Sequence, residues 1–363
     1  MKTVVVVLRG LQTAFLSPYG NRWIDTPNFD LLATAGTLFD WHFADRPGTT
    51  AVHHEGWLNS LREAKVSVRI LRDGSRGLAT IAEQAESFKD VEKMLKAARK
   101  AVRSGLEGLL WVEFAMLLPP WQIAASFLET LFPPPVQPDF APQPEQDEDQ
   151  ADPTEPPTEQ QDQGLEYLPD EEPLEAILSP TLGAIDPQDD RLYLSLQSTY
   201  AAAVMQADAI LAELLDGLPD EVTLFVTSDE GLALGEHGYV GLNGPLHEPR
   251  VHLPLFVVGP GIPAGGRIAS LTSAGDLAAT LAKQFGVAWP GRDLLASGES
   301  TEAVVLSSHA ERGVRTPAWF LRVPATGQPE LYEKPADRLE RLNLAQVHFT
   351  IVEELLTRLP HSH

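Results

Sequence analysis

The chain of 363 residues contains no cysteine. That excludes a disulfide framework, a thiolate metal site and a cysteine nucleophile. Cations are scarce: 27 Lys+Arg stand against 51 Asp+Glu, a formal net charge of −24. Phosphate neutralisation needs clustered Lys and Arg, so nucleic acid is excluded as the main ligand. No stretch approaches the run of about 18 apolar residues that a membrane span requires, and no membrane partner is expected. The opening Met1-Lys2-Thr3-Val4-Val5-Val6-Val7-Leu8-Arg9 is too short for a signal-peptide core and is cut off by Arg9. A cytoplasmic location is the resulting expectation. Four consecutive valines favour extended backbone and read instead as a buried first strand.

Between positions 104 and 190 Lys and Arg are missing altogether, while residues 139–175 hold fourteen carboxylates. Prolines crowd the same region from Pro133 to Pro157, with Gln143, Gln146, Gln150, Gln160, Gln161 and Gln163 between them. Such a composition buries too little apolar surface to offset its ordering entropy. Residues 133–172 therefore read as an acidic, Pro-rich disordered insert, either a solvated linker or an acidic segment for a basic partner.

The rest alternates strands and helices. Strands are expected over 3–8, 38–43, 65–71, 109–114, 222–227, 253–258 and 304–308. Helices are expected from Thr26-Pro27 onward, with proline near the first helical position, and over 51–63, 88–103, 121–131, 189–215, 276–285 and 347–359. Alternation of this kind implies an α/β sheet covered on both faces, with sites at the carboxyl ends of its strands.

Three ordered segments carry a resemblance. Leu16-Ser17-Pro18-Tyr19-Gly20-Asn21 is followed by Thr26-Pro27-Asn28-Phe29-Asp30-Leu31-Leu32. Thr227-Ser228-Asp229-Glu230-Gly231 continues to Leu234-Gly235-Glu236-His237-Gly238. Val251-His252-Leu253-Pro254-Leu255 runs into Val258-Gly259-Pro260-Gly261, and Glu330-Leu331-Tyr332-Glu333 adds a weaker fourth match. In this order the set resembles the sulfatase branch of the alkaline phosphatase-like superfamily. The resemblance implies a central mixed sheet with helices on both faces, plus a small C-terminal antiparallel sheet. It divides the chain into 1–132 and 173–300 as the two parts of the sulfatase-like domain, 133–172 as the insert, and 301–363 as a small C-terminal subdomain.

The family hydrolyses sulfate esters with a divalent metal, usually calcium, held by oxygen ligands, and a formylglycine made from cysteine. Position by position, much of that apparatus is absent here. The two acids that follow the family's first strand fall on Arg9 and Gly10, and Leu8 to Tyr19 contains no Asp or Glu. An arginine cannot ligate a cation; Arg9 is expected to act as an internal counter-ion for Asp229. The nucleophile position falls on Thr49 in Thr49-Thr50-Ala51-Val52-His53. Thr49 is either a helix N-cap or, as in phosphodiester-cleaving relatives, an activated alkoxide. The family's catalytic histidine falls on Leu118 and an earlier one on Glu113, so Met116, Leu117 and Leu118 are expected to fill the pocket. The anion-binding lysine falls on Leu242.

Asp229 and Glu230 retain the second metal pair in type, either as a structural ion pair with Arg9 opposite or as a residual cation site. His237 reads as a turn histidine in a binding position. His53-His54-Glu55 and His247-Glu248 read as packed or solvent-facing, since adjacent helical histidines diverge by about 100°, and the terminal His361-Ser362-His363 as a frayed end. The expected function is that of a catalytically inactive, sulfatase-like pseudoenzyme with a binding or scaffold role, engaging a protein or a small anionic ligand. The alternative is a residual metal-dependent sulfate- or phosphate-ester hydrolase using Thr49. No cofactor is expected, except calcium or magnesium if the residual site works.

Overall fold

The computed structural model describes residues 2–47, 55–73, 85–105, 107–133, 173–296 and 300–360. Its strands in chain order are β1 (Lys2–Leu8), β2 (Thr37–Phe43), β3 (Val68–Asp73), β4 (Ala85–Phe88), β5 (Gly108–Phe114), β6 (Gly183–Ala184), β7 (Val222–Thr227) and β8 (Ala233–Leu234). They continue as β9 (Tyr239–Gly241), β10 (His252–Leu253), β11 (Leu255–Val258), β12 (Gly266–Ser273), β13 (Val304–Ser307), β14 (Arg312–Arg315), β15 (Trp319–Val323) and β16 (Glu330–Glu333). The helices are α1 (Pro27–Ala35), α2 (Glu55–Glu63), α3 (Val91–Arg103), α4 (Ala125–Leu131), α5 (Asp190–Leu215), α6 (Glu248–Val251), α7 (Ala274–Gln284) and α8 (Phe349–Leu356).

Nine strands form the central sheet, in the order β10-β2-β11-β7-β1-β5-β3-β4, with β12 beside β2. β1 lies in the middle, parallel to both β5 and β7. Its valines explain the position. Val4 and Val6 face the core layer that includes Phe29, Leu95 and Tyr200 from α1, α3 and α5. Val5 and Val7 face the layer that includes Trp57 of α2 and Leu277 of α7. A strand buried on both faces needs apolar residues at every position, not at alternate ones. β11 runs antiparallel to β7, which makes the sheet mixed. A second, four-stranded antiparallel sheet, β13-β14-β15-β16, follows in the C-terminal part.

Several expectations shift. The helix expected over 121–131 begins at Ala125, after an extended Ala124; ahead of it the Trp121 N–H is given to Leu178 O at 2.8 Å and the Gln122 carbonyl accepts from Gln206. The strand expected over 253–258 is interrupted at Pro254, which has no N–H for a ladder. Beyond the elements expected, β12 pairs in parallel with β2 across a register shift between Ile268 and Leu271. The insert from 134 onward and residues 51–54 of the second expected helix lie outside the described residues. No described helix is long and apolar enough to cross a membrane.

Candidate functional site

β1, β5 and β7 end side by side: Leu8 is in register with Phe114, and Val7 with Thr227. The residues just beyond these ends therefore converge, as the parallel topology requires. Arg9 follows β1. Its N–H is given to Phe114 O at 2.8 Å, and its Nε donates to Asp229 Oδ2 at 2.7 Å. Glu113 Oε1 lies 3.8 Å from the same nitrogen. Burial works to lower the Arg9 pKa, but the Asp229 and Glu113 carboxylates outweigh it and hold the guanidinium above its usual value.

The neighbouring Glu230 meets a second arginine that sequence reading missed. Arg250 donates to Glu230 Oε2 through Nη2 at 3.2 Å and Nε at 3.3 Å, and also donates to the Gly244 carbonyl. Burial, then the adjacent Asp229, pushes Glu230 above the usual carboxylate range, with Arg250 opposing. Only the fold brings Arg250, on α6, against Glu230.

Gly10 is sewn in by its backbone. Its N–H bonds Glu230 O at 3.0 Å, and its carbonyl accepts from Leu232 N at 3.0 Å and from the Tyr200 hydroxyl at 2.7 Å. Its φ is +85°, and a Cβ there would meet Leu118 Cδ2 at 2.8 Å. Leu118 thus occupies the space that a side chain at position 10 would need.

Leu117 and Leu118 are buried as expected, but the neighbourhood is not wholly filled. A cavity of about 360 Å³ is lined in part by Met116, Leu118, Pro119, Gln206, Lys89 and Asp73. Asp73 accepts the Ala115 N–H, and burial pushes its carboxyl up to about 6. Leu242 is half-buried against the main core. Thr49, with His53 and His54, lies outside the described residues.

His237 does sit in a turn, at φ +55° between the left-handed Gly235 and Gly238. Its ring stacks on that of His247, with centroids 3.5 Å apart and planes 6° apart. His247 Nδ1 bonds the Glu340 carboxylate. The two histidines were read separately in the sequence, and no local signal links either to Glu340.

The sequence model of the Sulfatase family matches residues 115–287. Among solved structures, BT4656 in complex with its substrate D-glucosamine-2-N,6-O-disulfate shares the fold with a TM-score of 0.68 at 18% identity, covering 99% of this chain and 96% of that one. The phosphonate monoester hydrolase of Agrobacterium radiobacter gives 0.66 at 15%, covering 98% and 95%. BT1596, a 2-O GAG sulfatase, gives 0.62 at 15%, covering 98% and 92%. At such identities the structural likeness speaks for the fold alone. Taken together, residues 115–287 carry Sulfatase-family sequence through the Asp229–Glu230 and Gly235–Gly238 segments, and the whole chain has the fold of the sulfatases.

Proposed function

We propose that this chain is a non-catalytic sulfatase-like protein with a binding or scaffold role, in which Arg9 takes the charge-balancing place of the family's divalent metal. The observation that carries the reading is the 2.7 Å bond from Arg9 Nε to Asp229 Oδ2. A hard cation needs several oxygen ligands. Here the first of the two acid positions after β1 is a guanidinium already paired with Asp229. The second is a glycine whose side-chain space Leu118 fills. Glu230 is engaged by Arg250. This donor set does not fit a calcium or magnesium ion. Two carboxylates left without a metal would be uncompensated buried charge; Arg9 and Arg250 supply the compensation. A binding role is supported by the cavity beside Leu118, which has Lys89 and Asp73 in its lining.

The test is calorimetric titration of the chelator-treated chain with calcium and magnesium, beside turnover assays on 4-nitrophenyl sulfate and phosphate. No saturable binding and no turnover are expected. Tight calcium binding that is lost in Asp229→Ala would overturn the reading. So would turnover that disappears in Thr49→Val, which would instead establish the residual hydrolase.

A further inference from the structure

We propose that His237, His247 and Glu340 form a site for a divalent cation of the zinc class, separate from the Asp229–Glu230 carboxylates. The three come from different parts of the chain: the turn after β8, the residue ahead of α6, and the segment after β16. One donor atom of each lies within 4.8 Å of the others. Two imidazoles and one carboxylate make a nitrogen-rich set, which suits zinc and its neighbours rather than calcium or magnesium.

Several features prepare the set for a cation. The two rings lie side by side, and a neutral imidazole carries an in-plane lone pair that a cation can take. His247 Nδ1 and Glu340 Oε2 share a proton in a direct bond, and an ion bound between them would take that proton's place, with both atoms as ligands. Lys334 Nζ lies 2.9 Å from Glu340 Oε1 but also 3.3 Å from Glu248 Oε2, so it keeps a carboxylate when Glu340 turns toward an ion. His247 is buried while His237 is exposed, which leaves one side for access and for a water ligand.

The stack sets one requirement. Lone pairs of parallel rings lie in parallel planes, so an ion bound to both needs the stack to open. His237, exposed on its turn, is the ring with room to rotate. Its left-handed backbone, uncommon for a residue other than glycine, is a local cost that a ligand position would account for.

The experiment titrates the chelator-treated full chain with Zn²⁺ by calorimetry and with Co²⁺ by visible absorption. It compares the parent with His237→Asn and Asp229→Asn; asparagine tolerates the left-handed conformation, so the turn is preserved. One equivalent of Zn²⁺ is expected to bind the parent and Asp229→Asn alike. His237→Asn should bind at least about 10-fold more weakly and lose the Co²⁺ d–d bands. Absence of saturable Zn²⁺ binding, binding unchanged in His237→Asn, or binding lost in Asp229→Asn would each overturn the proposal.

Discussion

Arg9 and Asp229 are both almost fully buried, and a buried charge is costly unless its partner is present. Removing one member should therefore cost far more than removing both. Arg9→Ala is expected to lower unfolding stability by about 3–5 kcal/mol, the usual penalty for orphaning a buried partner. The double variant Arg9→Met/Asp229→Leu should recover most of that loss. Urea denaturation of the three chains measures this, and an unchanged midpoint in Arg9→Ala would remove the counter-ion role. Asp45 is a half-buried acid whose Oδ1 is shielded from solvent and has no hydrogen-bond partner among the described residues. Burial pushes its pKa up to about 6, against Arg46. The folded state thus binds more protons than the unfolded state between about pH 4 and 6, and this residue's contribution improves as pH falls through that window. Asp45→Asn should raise the melting temperature at pH 8, with the gain shrinking as pH falls from 7 to 5. A gain that does not vary with pH would contradict this account.

Helix ends show how elements depend on one another. Thr26 stands at the N-cap position of α1, but its hydroxyl bonds Ser17 instead of the helix. The cap comes from α5. Asp208 accepts the Asn28 N–H at 3.1 Å, the Phe29 N–H at 3.0 Å and the Asn28 side-chain amide at 2.7 Å. α7, by contrast, carries its own capping box, with Ser273 and Asp276 bonded reciprocally. Asp208→Ala should accordingly cost about 1–2 kcal/mol, the range for losing a cap, although the residue lies in the interior of a different helix. Chemical denaturation reads the loss. A cost below that of an exposed α5 substitution such as Glu213→Ala would show that Asp208 does not cap α1.

At the scale of the molecule, a buried ionic cluster joins the central sheet to the C-terminal one. Arg315, on β14, donates to Glu248 Oε1 at 2.9 Å and lies over the rings of Trp41 and Phe43 of β2, at 5.1 and 5.4 Å. Lys334, which follows β16, reaches both Glu248 and Glu340. The C-terminal sheet is thereby tied to the same region that carries His247. Arg315→Met keeps much of the apolar contact but removes the charge. It is expected to speed amide exchange in β13–β16 while β1, β5 and β7 keep their protection. Uniform change across both sheets would mean that the cluster does not govern docking. Ligand linkage offers a check at this scale: about 10 mM calcium should leave the melting temperature where it was, whereas a working hard-cation site would raise it.

Much of this architecture is written locally. The valine run of β1, the strand–helix alternation and the Pro27 helix start depend on neighbouring residues, and burial on both faces follows directly from an unbroken apolar strand. The resemblance to the sulfatase family set Arg9 and Gly10 against that family's two acids, because those positions are counted from the end of a strand. The partnerships were decided only in three dimensions. Arg250 with Glu230, Asp208 with α1, Leu118 in the space beside Gly10, and His237 with His247 and Glu340 join residues between 10 and 180 positions apart. A side-chain pairing between distant segments leaves no periodicity in the chain, so only the packing of the two sheets and their helices could select it.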